Sequence, residues 1–404
     1  MEASVTNGQG SNSAAVRHFN ERVVLAALRR LGEASKAELA RHVNLTQNAA
    51  GQIVRDLERQ NLVCIKGKRT GLRGQPATLL RLDPKGAYSI GIKLGRRTLD
   101  SLLVDFAGEV LRSRRHEHDF PHPDAALATI GNDIAALRRE IPPEARRRLA
   151  GVGLAMPYNL GSWRRELDIS PEMAAAWNNF DLASRLRAAL DLPIFVENDG
   201  NAVAVAELFQ GHGRELDDFA VIFIGTAIGG GIVLGGAYRR GATGNAGDVG
   251  LMPVPPSRLA TAPQPSRPND ILLTRASVSA LIRHLRQNGV PVVTSHDLED
   301  AIANHPGLVS EWLEDCADAL VDPLLSIASL LDLQAIVIDG NLPRSLIEWL
   351  VERLRALLAA RVPEMRQPPA LRIGTAGPNA AAIGAAILPL HSNYSPDQER
   401  LFGQ

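Results

Sequence analysis

Residues 195–207, FVENDGNAVAVAE, and residues 224–236, IGTAIGGGIVLGG, decide the fold class of this 404-residue chain. The first stretch passes from a short strand into a helix, with the carboxylate of Asp199 near the junction. The second follows an apolar strand and is rich in glycine, which lets backbone N–H groups approach a phosphate or sugar oxygen closely. Tight turns that bind nothing use the same residues, so the glycines alone are a weak signal. Together the two stretches predict an α/β body.

The chain after residue 85 alternates strands with helices, which predicts an α/β body of two lobes. We predict strands at 88–94, 99–105, 149–156, 194–197, 220–224, 231–234 and 335–338, and helices at 124–140, 198–210, 309–331, 344–360 and 378–388. The expected body is 86–404, with one lobe formed by 86–197 and the C-terminal helix 378–390, and the other by 198–377. The Pro-rich segment 253–268 interrupts this pattern and predicts an excursion on the surface.

Residues 16–85 predict a winged helix-turn-helix, because three helical stretches precede two strands that flank a basic, glycine-rich loop. Ser35 and Glu38 form an S-x-x-E capping box at the second helix. Thr46 is placed to cap the third helix, with Ala49 among its inward residues. The predicted strands are 62–65 and 78–82, and the loop is 66–74. Residues 1–15 are rich in Ser, Asn and Gly and predict a disordered tail.

Charge is divided unevenly along the chain, although Lys plus Arg equals Asp plus Glu at 44 each. A zero net charge taken alone argues against a nucleic-acid binder, whose surface usually carries a basic excess. Residues 1–85 hold 14 Lys or Arg and 7 Asp or Glu, whereas residues 86–404 hold 30 and 37. The sequence therefore predicts a basic module suited to a polyanion, attached to an acidic body.

Cysteine usage and hydropathy indicate a cytoplasmic protein. Cys64 and Cys316 lie far apart and match no metal-ligand or redox spacing. The polar N-terminus lacks the apolar stretch of a signal peptide, and no apolar run reaches the roughly 18 residues that a membrane span requires. We therefore expect an intracellular protein of a reducing compartment, with no disulfide framework and no membrane contact.

The third helix of residues 16–85 is the expected recognition helix, whose first turns meet base edges in the major groove. Asn and Gln pair with adenine there, and Arg reaches guanine or phosphate. The predicted DNA-binding residues of the helix are Thr46, Gln47, Asn48, Gln52 and Arg55, and Gly51 is expected to face outward beside them. The loop adds the cations Lys66, Lys68, Arg69 and Arg73, which can follow a minor groove. A solvated basic hairpin with no partner is the alternative for this loop.

The ordered motifs of the chain resemble those of the ROK family, which joins sugar kinases to transcriptional repressors on one actin-type, sugar-kinase-like fold. The resemblance extends from about residue 16 to residue 390, and its further motifs are DPKGAYSIGIKLG at 83–95, GVGLAMP at 151–157, GATGNAGDVG at 241–250, AIVIDGNL at 335–342 and AAAIGAAIL at 380–388. The N-terminal module resembles that of the repressor branch. The resemblance implies a DNA-binding regulator that senses a sugar.

Two departures from the kinases of the family bear on activity. Where those kinases carry a D-x-G-G-T phosphate loop, Lys93 replaces the Asp and Arg96 replaces the second Gly, with Arg97 next to it. Phosphoryl transfer depends on positioning and charge neutralisation around Mg²⁺, so the resemblance implies that it is lost, although a basic patch can still attract an anion. Solvated turn residues are the alternative for the two arginines. The zinc-binding His of the family aligns with Leu251 and its Cys cluster with 253–272, which contains no Cys, so no metal is expected.

Five residues are the expected contacts of the sugar: Asn198, Asp199, Asp248, Tyr158 and Asn178. The resemblance implies that Asn198 and Asp199 bond sugar hydroxyls, since the matching Asp is the general base of the kinases. An N-cap on the following helix is the alternative role for Asp199. Asp248 stands where the family has a sugar-binding Glu and is one methylene shorter. Tyr158 and Asn178 offer an aromatic ring and an amide, which suit carbohydrate and equally suit packing between lobes.

These features predict a sequence-specific, DNA-binding transcriptional regulator, a repressor, whose effector is a sugar or sugar derivative and which needs no cofactor. Double-stranded operator DNA is the expected partner. We expect a homodimer or higher homo-oligomer, because paired half-sites require two recognition helices. One alternative is an ATP-dependent sugar kinase that carries a DNA-binding module. Another is a regulator controlled by a protein partner in place of a small molecule.

Overall fold

The chain before residue 83 folds as three helices and a small sheet. The computed structural model describes residues 13–69, 77–118, 120–158, 160–161, 164, 169–263, 268–362 and 367–396. The first elements are α1 (Ser13–Leu31), β1 (Ala34–Ser35), α2 (Lys36–His42), α3 (Gln47–Arg59), β2 (Val63–Arg69) and β3 (Ala77–Leu82). The sheet order is β1-β3-β2 with antiparallel pairings, which is the arrangement of a winged helix-turn-helix. The predicted capping box of Ser35 and Glu38 is present.

This first unit differs from the sequence expectations at the start of α1 and at the end of β2. Helix α1 begins at Ser13, so residues 13–15 are helical, while residues 1–12 of the predicted tail lie outside the described residues. Strand β2 continues to Arg69 because Lys68 and Arg69 extend the antiparallel pairing with β3. Lys66, Lys68 and Arg69 therefore lie on a strand and not in a loop. Arg73 lies outside the described residues.

Helix α3 has a slightly different buried face from the predicted one. Ala50 is fully buried, whereas Ala49 is only partly so, because the stripe of Ala50, Ile53, Val54 and Leu57 follows the helical repeat against α1 and α2. Gly51 is buried and does not face outward as expected. A Cβ at Gly51 would lie 3.7 Å from the Arg55 guanidinium, which covers this part of the helix.

A five-stranded sheet follows, in the order β6-β5-β4-β7-β8. Its elements are β4 (Tyr88–Leu94), β5 (Thr98–Asp105), β6 (Val110–Glu117), α4 (Pro123–Glu140), β7 (Leu149–Met156), α5 (Pro171–Asn178), α6 (Leu182–Ala189) and β8 (Ile194–Asn198). Strands β4, β7 and β8 are parallel, and β5 and β6 are antiparallel to their neighbours. The sequence did not predict β6, because its side chains are almost all exposed and show no apolar alternation.

The second five-stranded sheet has the order β11-β10-β9-β14-β15. The elements of this half are α7 (Asp199–Gln210), β9 (Phe219–Ile224), β10 (Ile228–Leu234), β11 (Ala237–Tyr238), β12 (Pro253–Val254), β13 (Asp270–Ile271), α8 (Leu272–Arg275), α9 (Val278–Gln287), α10 (Ser295–Asn304), α11 (Pro306–Leu331), β14 (Ala335–Gly340), α12 (Arg344–Arg361), β15 (Leu371–Ile373) and, last, α13 (Ala380–Tyr394). Strands β9, β14 and β15 are parallel, whereas β10 forms an antiparallel hairpin with β9. Trp312, Leu320 and Leu350 are buried in the core between this sheet and its helices.

Helices α7 and α13 lie between the two sheets and contact each other. Helix α13 packs on β4 and β7, and α7 packs on β9 and β10. Glycines permit the close approach: a Cβ at Gly153 in β7 would overlap the carbonyl of Ala385, and a Cβ at Gly384 would overlap the carbonyl of Ala202. The two sheets are thus joined through a contact between helix backbones. The domain and lobe boundaries given above stay predictions.

Candidate functional site

A cavity of about 430 Å³ lies between the two halves of the body and is lined from both. The first half supplies the end of β4 with the turn after it and the residues that follow β7. The second half supplies the start of α7, the β9–β10 turn and the segment after β11. The polar side chains of its lining are Lys93, Arg96, Tyr158, Asn198, Asp199, Thr226, Asn245, Asp248 and Asn341. The sequence named six of these, four as sugar contacts and two as cations of the altered phosphate loop, and the β9–β10 turn contains the glycine-rich stretch that also pointed here.

A chain of hydrogen bonds connects the start of α7 with the segment after β11. Asn198 caps α7, because its Oδ1 accepts a hydrogen bond from Gly200 N at 2.8 Å. Its Nδ2 donates to Asn245 Oδ1 at 3.0 Å, and Asn245 Nδ2 donates to Asp248 Oδ2 at 2.9 Å. The capping role considered for Asp199 is therefore performed by Asn198. Asn198 and Asp248, which lie far apart in sequence, are held in one wall of the cavity.

Glu197 supports this wall from behind, and sequence reasoning gave it no role. Its carboxylate is 4% exposed and accepts hydrogen bonds from Asn198 N at 2.9 Å and Asn201 Nδ2 at 3.1 Å. Arg240 Nε lies 3.2 Å from the same carboxylate, and Tyr238 donates its hydroxyl at 3.3 Å. Burial, reinforced by the charge of Glu197, raises the pKa of Tyr238 to about 12. Tyr238 therefore stays a neutral donor and holds the end of β8 in place.

The two carboxylates of the cavity influence each other. Burial raises the pKa of Asp248 above its ordinary value, the hydrogen bond from Asn245 opposes this rise, and the charge of Asp199 adds to it. Asp199 is half-buried and accepts a hydrogen bond from Gly200 N at 3.1 Å. Both side chains retain acceptor capacity towards the cavity, because a carboxylate can accept several hydrogen bonds. Such a pair suits a ligand with several hydroxyl groups.

The three cations that interrupt the family's phosphate loop have separate positions. Lys93 and Arg96 line the cavity, and the Arg96 residue is only 7% exposed. Burial lowers the pKa of Arg96, while the charge of Asp199 raises it. Arg97 is not among the lining residues: its Nη1 donates to the carbonyl of Val293, between α9 and α10, at 2.6 Å. Arg97 thus connects the first half of the body to the second, and is not simply a solvated turn residue.

The two remaining sequence-predicted ligand contacts also differ in position. Tyr158 lines the cavity at its rim and is 69% exposed. Asn178 is exposed at the end of α5 and is not among the lining residues. Leu251, at the position of the family's zinc-binding His, lines the cavity. Within the described ranges, no group of three or more His, Cys, Asp or Glu side chains could hold a metal ion. Nor does any helix among those residues combine the length and hydrophobicity needed to cross a membrane.

Charged side chains hold the segment where the family's zinc cluster aligns. Arg275 is buried, and its Nη1 donates to the carbonyl of Pro255 at 2.9 Å. Arg283 Nε donates to the carbonyl of Thr261 at 3.3 Å, and the Thr261 hydroxyl lies 2.6 Å from His284 Nδ1. The cations come from α8 and α9, and Arg275 is in turn held by Asp315. Hydrogen bonds from side chains of α8 and α9 therefore fasten this segment.

The predicted DNA-reading face is partly exposed and partly engaged in internal contacts. Gln47, Asn48, Gln52 and Arg55 are exposed, and Thr46 caps α3 by accepting a hydrogen bond from Ala49 N at 3.2 Å. The Arg55 guanidinium donates to Gln52 Oε1 at 2.7 Å, and Gln52 donates to Asp56 at 3.3 Å. These bonds orient the helix face that a DNA groove would meet.

The basic strand β2 forms ion pairs with the acidic residues around α2. Lys66 Nζ lies 2.6 Å from Glu33, and Arg69 Nη1 lies 2.7 Å from Glu38. Backbone and side-chain hydrogen bonds with Ser35, together with Arg69, lower the pKa of Glu38 to about 2. Lys68 is exposed beside them. The pairs fix the strand against α2, so Lys66 and Arg69 must exchange partners if they are to bind phosphate.

Helix α1 contacts both halves of the body through two adjacent arginines. Arg29 Nη1 donates to the carbonyl of Phe106 at 3.3 Å, and its guanidinium lies 5.5 Å and 5.3 Å from the ring centroids of Phe106 and Phe209. Burial lowers the pKa of Arg29 to about 10. Arg30 Nη1 lies 2.7 Å from Asp217, just before β9. Local sequence gave no indication of these contacts, which join residues far apart in the chain.

Two five-stranded sheets around a cavity with carboxylates at a helix start define a two-lobed α/β protein of the sugar-kinase type. The three helices and the small sheet before residue 83 are an addition to that body. A family model, described as ROK family, matches residues 89–391, which is more than half of the chain. The chain belongs to the ROK family.

Its relatives include both regulators and kinases. A xylose repressor of Bacillus spizizenii is 25% identical over 375 residues, which cover 92% of this chain and 95% of that protein. A glucokinase of Halalkalibacterium halodurans is 26% identical over 322 residues, covering 74% and 94%. The crystal structure of a ROK family transcriptional regulator, a homologue of the Escherichia coli MLC protein, has a TM-score of 0.65 at 21% identity and covers 96% of this chain and all of that one. The structural likeness establishes the fold.

Proposed function

We propose that the chain is a sequence-specific DNA-binding regulator of transcription, a repressor, whose cavity binds a sugar or sugar derivative as effector. The observation that carries the proposal is the contact of α1 with both halves of the body, through Arg29 and Arg30. A DNA-reading unit attached to both sides of a ligand cavity can respond to the ligand in that cavity. The match to the xylose repressor also extends over 92% of this chain, against 74% for the glucokinase.

The proposal includes the loss of phosphoryl transfer. Lys93 and Arg96 line the cavity where the kinases of the family carry an Asp and a Gly, and two cations there oppose the Mg²⁺ that phosphoryl transfer requires. Asp199 then serves as an acceptor for sugar hydroxyls and not as a general base. Asn198, Asp248 and Tyr158 complete the proposed contacts, whereas Asn178 lies outside the lining and is left out of the proposed site.

The effector acts in this proposal by favouring one arrangement of the two halves. A ligand shifts such an equilibrium only by its difference in affinity for the two arrangements. Contacts from both halves, such as Lys93 and Asp248, supply that difference, because their separation changes when the halves move. In a homodimer the resulting displacement of α1 changes the distance between the two recognition helices, so that the protein no longer fits two DNA half-sites and dissociates from them.

A mobility-shift experiment tests the regulator. The full-length protein is expected to retard the DNA fragment upstream of its own gene at low salt, and an effector sugar is expected to release it. Gln47→Ala combined with Asn48→Ala should abolish preference over a random fragment, since these exposed side chains begin α3. The matched control, Arg139→Ala on α4, should leave binding unchanged. Absence of retardation at low salt refutes the DNA-binding proposal.

A sugar kinase is the second candidate, and Asp199 favours it because it keeps a carboxylate at the cavity wall. The test is ADP release in a coupled assay over a panel of hexoses and amino sugars. Turnover that disappears in the Asp199→Asn variant would establish the kinase. Absence of ADP release under conditions in which the protein binds DNA would exclude it.

A further inference from the structure

The charges that line the cavity come from different parts of the fold. The two cations, Lys93 and Arg96, belong to the end of β4 and the turn after it. The two carboxylates, Asp199 and Asp248, belong to the start of α7 and to the segment after β11. One side of a bound ligand therefore meets positive charge, and another side meets acceptors. The first side favours a ligand that carries negative charge, and the second favours a ligand with hydroxyl donors.

Lys93 lines the cavity, and Asp100, its register partner on β5, is paired with a different cation. Lys93 Nζ hydrogen-bonds the Thr98 hydroxyl at 3.4 Å, which engages one of its three donors. That hydroxyl donates to Asp100 Oδ2 at 2.9 Å, and Asp100 is itself paired with Arg115 at 2.5 Å. Burial lowers the pKa of His118; the Lys93 charge adds to this shift, and the hydrogen bond with the Gly95 carbonyl and the Asp100 charge oppose it. Within the residues that the structure describes, two donors of the ammonium remain for a ligand.

Arg96 adds a guanidinium that is buried in the cavity wall. A buried guanidinium is costly unless negative charge is close, and Asp199 is the charge that stabilises it from within the protein. One carboxylate thus offsets one of the two cations. The second carboxylate, Asp248, belongs to the other half of the body, where its Oδ2 accepts a hydrogen bond from Asn245 Nδ2 at 2.9 Å. The end of the cavity near β4 therefore remains favourable to an anion.

Asn341 favours a ligand that also donates hydrogen bonds. Its Oδ1 is buried, lines the cavity, and accepts no hydrogen bond from the part of the chain that the structure describes. A buried acceptor without a donor is unfavourable, so a ligand hydroxyl at this position would be stabilising. Asp199 and Asp248 can accept further hydroxyls. Donors and negative charge on one molecule are the features of a sugar that carries an acidic group.

We propose that the effector is an anionic sugar, a monosaccharide bearing a phosphate or carboxylate group that Lys93 and Arg96 bind, while Asp199 and Asp248 bind its hydroxyls. This inference rests on the effector role proposed above. A volume of about 430 Å³ suits a ligand of this size. The anion would occupy the place where the kinases of the family bind phosphate groups, so the altered loop becomes a specificity element.

Matched pairs of sugars test the inference by calorimetric titration of the full-length protein. The pairs are glucose with glucose 6-phosphate and glucuronate, and N-acetylglucosamine with its 6-phosphate, and inorganic phosphate is titrated alone. We expect an acidic member to bind on the order of 10-fold or more tightly than its neutral partner, as for a charge-assisted hydrogen bond. The two acidic glucose derivatives distinguish phosphate from carboxylate recognition.

Variants assign the preference to residues. Lys93→Met and Arg96→Gln should each lower the ratio of the affinities for the acidic sugar and its neutral partner, which is the readout whether or not the neutral sugar also binds less tightly. Arg97→Gln, whose guanidinium contacts Val293 outside the lining, is the control and should retain the preference. If a variant fails to fold, as judged by its melting temperature, the affinities of the unaltered protein for the paired sugars still show whether the acidic sugar is preferred.

The outcomes separate this inference from the proposed function. Equal or tighter binding of the neutral sugars, with release of DNA, overturns the anionic effector and leaves the regulator intact. Inorganic phosphate binding as tightly as the sugar phosphate also overturns it, because the sugar would then contribute nothing. If no sugar binds and DNA is retained throughout, both the anionic effector and the sugar-responsive regulator fail.

Discussion

Breaking the buried ion pair of Arg275 and Asp315 is expected to destabilise the second half of the body strongly. The Arg275 side chain is 1% exposed and that of Asp315 7%, and two hydrogen bonds of 2.6 Å and 3.1 Å join them. Arg275→Met removes the cation, leaves Asp315 buried, and frees the carbonyl of Pro255. Removing one member of a buried pair costs about 3–5 kcal/mol. For a unit of 150–250 residues this corresponds to a fall in Tm on the order of 10 °C.

Urea denaturation followed by tryptophan fluorescence measures this effect. Trp312 is buried and donates its indole N–H to the carbonyl of Arg275 at 3.0 Å, so it reports on the same region. The matched control is Arg353→Met, because Arg353 and Glu314 form an exposed pair at 2.9 Å on the neighbouring helices. An exposed pair contributes about 0–1 kcal/mol, so the control should be close to the unaltered protein.

A double substitution tests the cause. Arg275→Met combined with Asp315→Leu replaces both charges by apolar groups and should recover most of the stability lost by the single variant. The reasoning is refuted if Arg275→Met costs less than about 1 kcal/mol, the value for exposed pairs. It is equally refuted if the double variant loses the sum of the two single effects. Proteolysis within residues 253–263 should increase in the single variant, since Arg275 holds Pro255.

Three further substitutions have defined expectations. Gly384→Ala should cost about 1–3 kcal/mol in urea denaturation, because the added Cβ overlaps the carbonyl of Ala202. Arg30→Ala should change stability by at most about 1 kcal/mol, because its pair with Asp217 is partly exposed, yet should raise the effector concentration needed to release DNA. The pKa of Glu38 is lowered to about 2, so the ionised carboxylate stabilises the folded state fully above the ordinary pKa of 4.5, and this stabilisation is lost as pH falls towards 2. Glu38→Gln should therefore make the free energy of unfolding depend less steeply on pH in this acid range.

Each of these three expectations has a result that contradicts it. Gly307→Ala in α11, where a Cβ meets no atom within 4 Å, should be neutral or slightly stabilising, and a loss equal to that of Gly384→Ala would contradict the packing argument. An unchanged release concentration in the Arg30 variant would show that this contact carries no signal. Superposable acid limbs of the Glu38 variant and the unaltered protein would show that Glu38 titrates identically in the folded and unfolded chains.

Strands buried on both faces were predictable from the sequence. The bounds predicted at 88–94 and 149–156 are those of β4 and β7, because parallel strands covered on both sides read as continuous apolar runs. Strand β6 lacks that pattern, since its outward side chains are charged, and only pairing with β5 makes it a strand. A local hydrophobic pattern predicts strands that are buried, and it does not predict an edge strand whose side chains are mostly exposed.

The candidate site was predictable where a motif supplies its residues and not where tertiary contacts do. Asn198, Asp199 and Asp248, which the motifs supplied, line the cavity together with Lys93, and their binding of a sugar stays a prediction. The support of Glu197 by Tyr238 and Arg240, by contrast, joins residues about 40 positions apart that share no periodicity. Asn178 shows the limit of composition as a guide, because an amide near an aromatic ring suits packing as well as binding.

The position of α1 constrains how a ligand in the cavity could act on the helices and small sheet before residue 83. Arg29 is bound at the end of β5, in the first half, and by Phe209 in α7, whereas Arg30 is bound to Asp217 before β9. Adjacent residues on a helix cannot follow two bodies that move apart. Any change in the relative position of the two sheets must therefore rotate α1 or break one of these contacts. In the proposed regulator, the free energy available to break such a contact is the difference between the ligand's affinities for the two arrangements. Because that free energy is limited, a contact of modest strength is the one that a ligand could break.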